Sequence, residues 1–316
     1  MMNMNNFKVV FMGTPDFSVP ILKGLIENYN VIGVVTQPDK EVGRHHEVEY
    51  SPIKKIALEN NIKVVQPVKI RTDFECVLEM NPDIIVTCAY GQIIPKEILD
   101  YPKFGCINVH ASLLPKYRGG APIHRAILNG EKETGITIMY MAEGMDDGDI
   151  ISQESIEIRD DETVGELHDE LSNLGVKLLL DTLPSIFEGT NNRIKQDESK
   201  VCFAKIIKKE DEILDFDDTA INIYNKIRGL NPFPGSYAIL DNKRVKIYKS
   251  RIEKSNNSSI PGTIIDVLKD GIVVKTKDDS IVIEELKQEG KKRMTAKEFL
   301  NGIKKDDLLN KKFEKE

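Results

Sequence analysis

The chain has 316 residues, 40% hydrophobic and 30% charged, with 44 Lys and Arg against 51 Asp and Glu. This is the balance of a folded globular protein rather than a disordered or disulfide-dense one, and the length accommodates one large domain with a smaller one, or two of moderate size. No run of roughly 18 apolar residues offers a membrane span, and the N-terminal MMNMNNFKVVFMG lacks a basic segment followed by an apolar one, so a cytoplasmic protein is expected.

FKVVFMG (7–13) reads as a buried strand, and the glycine turn after it invites a dinucleotide reading. Gly13 is followed by Thr14 and Pro15, however, so the G-x-G-x-x-G fingerprint is absent. The second strand, VIGVVT (31–36), leads into Gln37 rather than the acidic residue that would hold a ribose. A nucleotide cofactor is therefore disfavoured, while the helix start after Gly13 still suits a small anion or polar group.

IKVVQP (62–67), DIIVTCA (83–89) and GCINVH (105–110) are further apolar strands, and FSVPILKGLIEN and SPIKKIALENN between them carry helical spacing. Alternation of this kind predicts an α/β fold with a doubly wound, mostly parallel, Rossmann-like sheet. TGITIMYM and DIISQESIEI alternate apolar with polar residues and complete the sheet, and a long helix follows near 163–188. The polar stretch EGTNNRIKQDESK then marks a linker. The expected division is a catalytic domain over 1–189, a linker over 190–206 and a C-terminal domain over 207–316. In the last of these a helix near 217–229 ends at NPFPG. The short strands SYAIL, RVKIYKS, GTIIDVL, GIVVKTK and SIVIEEL then predict a small OB-like β-barrel. The charged tail, KKDDLLNKKFEKE, reads as frayed.

Cys76, Cys88, Cys106 and Cys202 are dispersed, with no C-x-x-C pair, and read as free thiols. Charge is uneven. Residues 201–316 hold 24 basic against 20 acidic side chains, which leaves 20 against 31 in residues 1–200. A mildly basic C-terminal portion on an acidic body is compatible with a polyanionic partner.

The chemistry concentrates after the fifth strand. Asn108 and His110 are two residues apart in GCINVH and so project from one face at a strand end, where open α/β sheets bind ligands. Asp146 and Asp147 precede Gly148 in EGMDDGDI. Together they supply an amide to hold a developing oxyanion, an imidazole to accept a proton and a carboxylate to steady its charged form. DDGD is not a calcium loop, because the remaining oxygen ligands and the terminal Glu are missing. No serine or cysteine sits beside a base in a nucleophile elbow, so direct transfer between two bound substrates is expected rather than a covalent acyl-enzyme.

NVHASLLPKYRGGAPIHRAI, with the Asp-x-Gly of MDDGD downstream, resembles the core of the folate-dependent formyltransferases. FMGTPDFSVPIL, VVTQPD, AYGQIIP, IRGLNPFPGSY and EGKKRMTAKEFLNG resemble the branch of that family that acts on aminoacylated tRNA, and the match spans about residues 7–303. The resemblance implies transfer of the formyl group of 10-formyltetrahydrofolate to the α-amino group of initiator methionyl-tRNA, with no metal and a monomeric enzyme. Asn108, His110 and Asp146 match the family's catalytic positions. Ser112, Leu113, Leu114 and Pro115 match the segment lining the folate site, and Tyr90, Gly91, Gln92, Ile93 and Ile94 a loop expected to cover the pterin. Arg44, Lys291, Lys292 and Arg293 are the positions expected to meet tRNA. The loop KEVGRHHEVEYSP (40–52) departs from the family, since three Glu residues dilute the basic character it usually has. The alternative within the same fold is a formyltransferase for a nucleotide-linked amino sugar or other small amine, against which GGAPIHRAI and EGKKRM argue.

Overall fold

The five apolar runs of the N-terminal half form the parallel part of one sheet in the computed structural model, which describes residues 7–42 and 47–315. The strands in chain order are β1 (Lys8–Gly13), β2 (Asn30–Val35), β3 (Lys40–Val42), β4 (Glu47–Glu49), β5 (Lys63–Val65), β6 (Ile84–Cys88), β7 (Cys106–His110), β8 (Glu133–Tyr140) and β9 (Ile150–Glu157). Seven of them make a sheet in the order β5-β2-β1-β6-β7-β8-β9, while β3 and β4 pair with each other as a separate antiparallel hairpin. Pairing is parallel from β5 through β7 and turns antiparallel where β8 joins β7. The chain winds outward from β1 in one direction and resumes at β6 in the other, so the switch point lies between β1 and β6.

The helices of this half are α1 (Val19–Asn28), α2 (Pro52–Glu59), α3 (Glu75–Leu78), α4 (Lys96–Leu99), α5 (Pro122–Leu128) and α6 (Val164–Glu188). α2 starts where Ser51 accepts the backbone N–H of Lys54, with Pro52 in the first turn, where its missing donor is not needed. Every residue of β6 is buried, as a parallel strand covered on both faces requires. One face carries Val10, Met12, Val35 and Ile85 against Ile70, Val77 and Ile98. On the other, Gly175 of α6 sits where an added Cβ would be 3.2 Å from Val109 Cγ1 and 3.5 Å from Ile21 Cδ1. Val109 therefore faces α6, and by strand alternation Asn108 and His110 face away from it.

The chain divides into two compact units: Met1–Pro122 with Thr134–Ile156 and His168–Ala204, and Ile123–Glu133 with Glu157–Leu167 and Lys205–Glu316. Residues 194–204, read from sequence as part of a linker, run along the first unit. Ile194 bridges Ile150, and Arg118 exchanges backbone bonds with Cys202 and Ala204.

The second unit adds α7 (Ala220–Gly229), β10 (Ser236–Leu240), β11 (Lys243–Glu253), β12 (Ile264–Val267), β13 (Ile272–Lys275), β14 (Ser280–Gln288), β15 (Met294–Thr295) and α8 (Ala296–Leu300). Its antiparallel sheet runs β10-β11-β14-β13-β12, with β15 beside β14. The expected barrel does not close, because no pairing joins β10 to β12 among the described residues. The C-terminal tail occupies that position and is not frayed. Glu314 and Ile239 of β10 exchange backbone hydrogen bonds, and Phe313 N–H donates to Gly262 O just before β12. Phe313, 2% exposed, drives this docking, because it joins Leu214, Phe216 and the strand interiors in the unit's core. Among the described residues no helix is long and apolar enough to cross a membrane.

Candidate active site

β7 delivers Asn108 and His110 to the end of the parallel sheet. The His110 ring is 6% exposed, and its Nε2 lies 3.0 Å from the carbonyl oxygen of Tyr117. A carbonyl only accepts, so Nε2 carries the hydrogen and the neutral ring presents its lone pair at Nδ1. Tyr117 adopts φ 61°, in the left-handed region. Nδ1 lies 3.8 Å from Asp146 Oδ2. That separation exceeds a direct hydrogen bond but leaves the carboxylate able to stabilise an imidazolium. His110 is thus arranged to take a proton at Nδ1, with its charged form matched by Asp146.

Asp146 is itself held. Its Oδ2 accepts the backbone N–H of Gly119 at 2.8 Å, and its backbone adopts φ 50°, a conformation Asp tolerates better than most residues. Asp147, the neighbouring carboxylate, is exposed.

Asn108 is half-buried, and its Oδ1 accepts the Thr87 hydroxyl at 2.9 Å. Thr87 stands opposite it in the β6–β7 register. With Oδ1 committed to Thr87, the Nδ2 hydrogens have no protein acceptor among the described residues and are free to meet an oxygen that becomes negative. Sequence reasoning missed Thr87, whose only signal is a hydroxyl within the apolar run IIVTC. Thr87→Val is expected to lower turnover about 3- to 10-fold, the worth of one neutral hydrogen bond, and Thr87→Ser to restore most of it; equal rates for the Val variant and the unmodified enzyme would refute this role.

The remaining sequence-predicted positions separate into inward and outward sets. Tyr90, expected to cover a ligand, is 4% exposed and packs its ring into the core with Met12, Val35 and Ile70. The strand alternation ends at Cys88, and Ala89 turns into the left-handed region at φ 48°, which sends Tyr90 inward. Its carbonyl accepts from Thr14 Oγ1 and Gln37 Nε2 and so anchors the loop. Gln92 braces the same loop through Gln37 and the N–H of Ile70, Ile94 is buried, and Gly91 and Ile93 are the exposed members. Ser112 and Leu114 are buried; Ser112 Oγ donates to Lys116 O, and Leu114 packs with Met139 and Ile150. Leu113 and Pro115 stay half-exposed and are the side chains of that segment still accessible to a ligand. Burial pushes the Cys88 thiol up to about 12, so it stays protonated at neutral pH and supplies no nucleophile. No group of three or more His, Cys, Asp or Glu suited to a metal ion occurs among the described residues.

In the second unit Lys291 and Lys292 are exposed, and Lys291 Nζ lies 5.5 Å from the Phe299 ring centroid. Arg293 is already engaged: Glu285 accepts from it twice, at 2.6 and 2.8 Å, and its guanidinium stacks on Tyr248. Arg44 lies outside the described residues.

A family model described as formyl transferase matches residues 7–183, and the corresponding C-terminal domain model matches residues 206–304. The chain belongs to the formyltransferase family. Within this family it is 50% identical over 299 residues to the methionyl-tRNA formyltransferase of Bacillus subtilis (strain 168), covering 93% of this chain and 94% of that protein. It is 47% identical over 308 residues to the methionyl-tRNA formyltransferase of Staphylococcus aureus (strain MW2), covering 96% and 99% respectively. Among solved formyltransferases, the N-formyltransferase from Helicobacter canadensis, crystallised with folinic acid and dTDP-3-aminofucose, superposes with a TM-score of 0.66 at 22% identity, covering 88% of this chain and 98% of that one. The sugar 3N-formyl transferase WlaRD superposes with a TM-score of 0.64 at 23% identity, over 90% and 99%. At such identities the two structures establish a shared fold.

Proposed function

We propose that this formyltransferase moves a formyl group from 10-formyltetrahydrofolate to the α-amino group of initiator methionyl-tRNA. The observation that carries the reading is the approach of His110 Nδ1 to Asp146 Oδ2, at 3.8 Å, with Asn108, whose Nδ2 is uncommitted, on the same face of β7 as His110. The acceptor is inferred from relatives near 50% identity that bear the methionyl-tRNA formyltransferase name, whereas the sugar enzymes resemble this chain at only 22–23%.

Each residue has a defined task. The neutral α-amine attacks the formyl carbon, and the former carbonyl oxygen takes up negative charge, which Asn108 Nδ2 meets with a hydrogen bond. The nitrogen that has added becomes acidic and releases a proton to His110 Nδ1, while Asp146 balances the imidazolium. The bond from the formyl carbon to N10 of the folate then breaks, and the same proton passes to N10. The products are formylmethionyl-tRNA and tetrahydrofolate, with no net proton released. An α-amine titrates at about 7.7–8.0 in peptides, so a useful neutral fraction exists at pH 7 and no strong base is needed. Leu113, Pro115, Gly91 and Ile93 are the accessible positions for the folate, and Tyr90 contributes its backbone to the loop rather than its ring to the ligand.

The direct test incubates the protein with 10-formyltetrahydrofolate and methionyl-tRNA, with free methionine and an amino-sugar nucleotide as competing acceptors. Formylmethionine on tRNA is expected; formyl transfer to the sugar instead would overturn the reading. For the tRNA backbone the proposal keeps Arg44, Lys291 and Lys292 and gives Arg293 a lesser part, because Glu285 already neutralises it. Lys291→Ala with Lys292→Ala is expected to reduce the slope of log affinity against log salt by up to about 2, near 0.9 per phosphate contact. A slope unchanged from the parent protein would reject that contact.

A further inference from the structure

The side chain of Gln196 lies within hydrogen-bond reach of the loop that carries Asp146. Its Nε2 donates to the carbonyl oxygen of Asp146 at 2.7 Å and to that of Gly148 at 2.9 Å. Its Oε1 accepts from Arg118 Nε at 2.9 Å. The two carbonyls can only accept and the guanidinium can only donate, so the network itself fixes which end of the amide is which. Arg118 is 5% exposed and is held in turn by Glu198, at 2.7 Å from Nη2, and by the backbone of Cys202 and Ala204. Gly119, the residue after Arg118, gives its N–H to the Asp146 carboxylate. Asp146 is therefore clamped at both ends, its carbonyl by Gln196 and its carboxylate by the peptide next to the arginine that steadies Gln196.

We infer that Gln196 is a positioning residue for catalysis, holding the Asp146 backbone so that its carboxylate faces His110 Nδ1. The inference rests on the role given to Asp146 above. A carboxylate whose peptide is free to rotate would leave the imidazolium unmatched, and misplacement by about 1 Å is enough to slow an enzyme about 100-fold. Nothing in KQDESK marks the residue, because a glutamine in a polar stretch reads as solvated chain.

Gln196→Glu separates this role from simple support of Arg118. Glutamate keeps the shape and the acceptor for Arg118, but it loses both N–H donors and sets negative charge against two carbonyl oxygens. The expected result is a fall in kcat of about 10- to 100-fold with KM for both substrates within about 3-fold. Asp146→Asn and the Asp146→Asn/Gln196→Glu double variant are measured alongside. If Gln196 acts through Asp146, the double variant loses less than the product of the two single losses. Near-normal kcat for Gln196→Glu, or full multiplicativity in the double variant, would overturn the inference while leaving a defective Asp146→Asn to support the active-site assignment. Near-normal turnover of Asp146→Asn would instead overturn the assignment itself. Should Gln196→Glu fail to give folded protein by circular dichroism, Gln196→Met, which lacks both donors and also the acceptor for Arg118, is judged by its coupling to Asp146→Asn alone: full multiplicativity would overturn the inference.

Discussion

Replacing Asn108 by alanine is expected to cut kcat at least about 100-fold while KM for the folate changes little, because the amide donates to an oxygen whose charge appears only as the nitrogen adds. Asn108→Asp is the sharper variant. The Thr87 hydroxyl can donate to either side chain at the position of Oδ1, so packing and placement are kept. What changes is the other arm, where a donor becomes a negatively charged acceptor facing the nascent oxyanion. This variant should be no better than Asn108→Ala, although it differs from the native residue by one group. His110→Ala should fall in the same range, since it removes the atom that receives the amine proton. Single-turnover rates with saturating donor and methionyl-tRNA measure the chemical step directly. An Asn108→Asp enzyme within a few-fold of the native rate would mean that the amide meets no developing charge, and the proposed mechanism would fall.

These residues were legible because β7 obeys the period-2 rule. A polar pair spaced by two in an apolar strand has to share a face, and the register of β6 against β7 shows that face opposite Thr87. The parallel half of the sheet was legible for the related reason that strands covered on both sides spell continuous apolar runs, as IIVTC does. Legibility ended where the alternation ended. Tyr90 follows Cys88 by two residues and looked like a ring at the mouth of the site, but the left-handed backbone at Ala89 turns it into the core. Ser112 and Leu114 turn inward for a different reason. Thr137 and Gln153 bond the backbone of their segment and pin it down onto β8. The docking of the tail was hidden because nine of its thirteen residues are charged, while Phe313 and Leu308 supply enough apolar surface to hold it. Gln196 was invisible on similar grounds, since hydrogen-bonded polar side chains leave no periodic trace.

Gly148→Ala is expected to be the most damaging small substitution outside the proposed catalytic trio. An added Cβ would stand 1.9 Å from the carbonyl oxygen of Tyr140 and 2.9 Å from its carbon, both backbone atoms at the end of β8. Tyr140 cannot retreat, because it pairs with Ile107 across the sheet and the peptide N–H that follows its carbonyl, that of Met141, donates to Cys106 O at 2.8 Å. The loop must lift instead, by more than an ångström, and it carries Asp146 two residues away along with the carbonyl that Gln196 holds. Overpacking of this kind destabilises a fold by about 1–3 kcal/mol, and the displaced carboxylate should lower kcat about 100-fold. Gly144→Ala is the matched control in the same loop. The three atoms nearest its added Cβ would all belong to the Asp147 carboxylate, at 2.0–2.9 Å, and that exposed side chain can swing aside. Thermal midpoint and kcat measured for both variants separate the two cases. Near-native values are expected for Gly144→Ala and losses in both quantities for Gly148→Ala, whereas equal activity in the two would show that the path of this loop does not govern where Asp146 points.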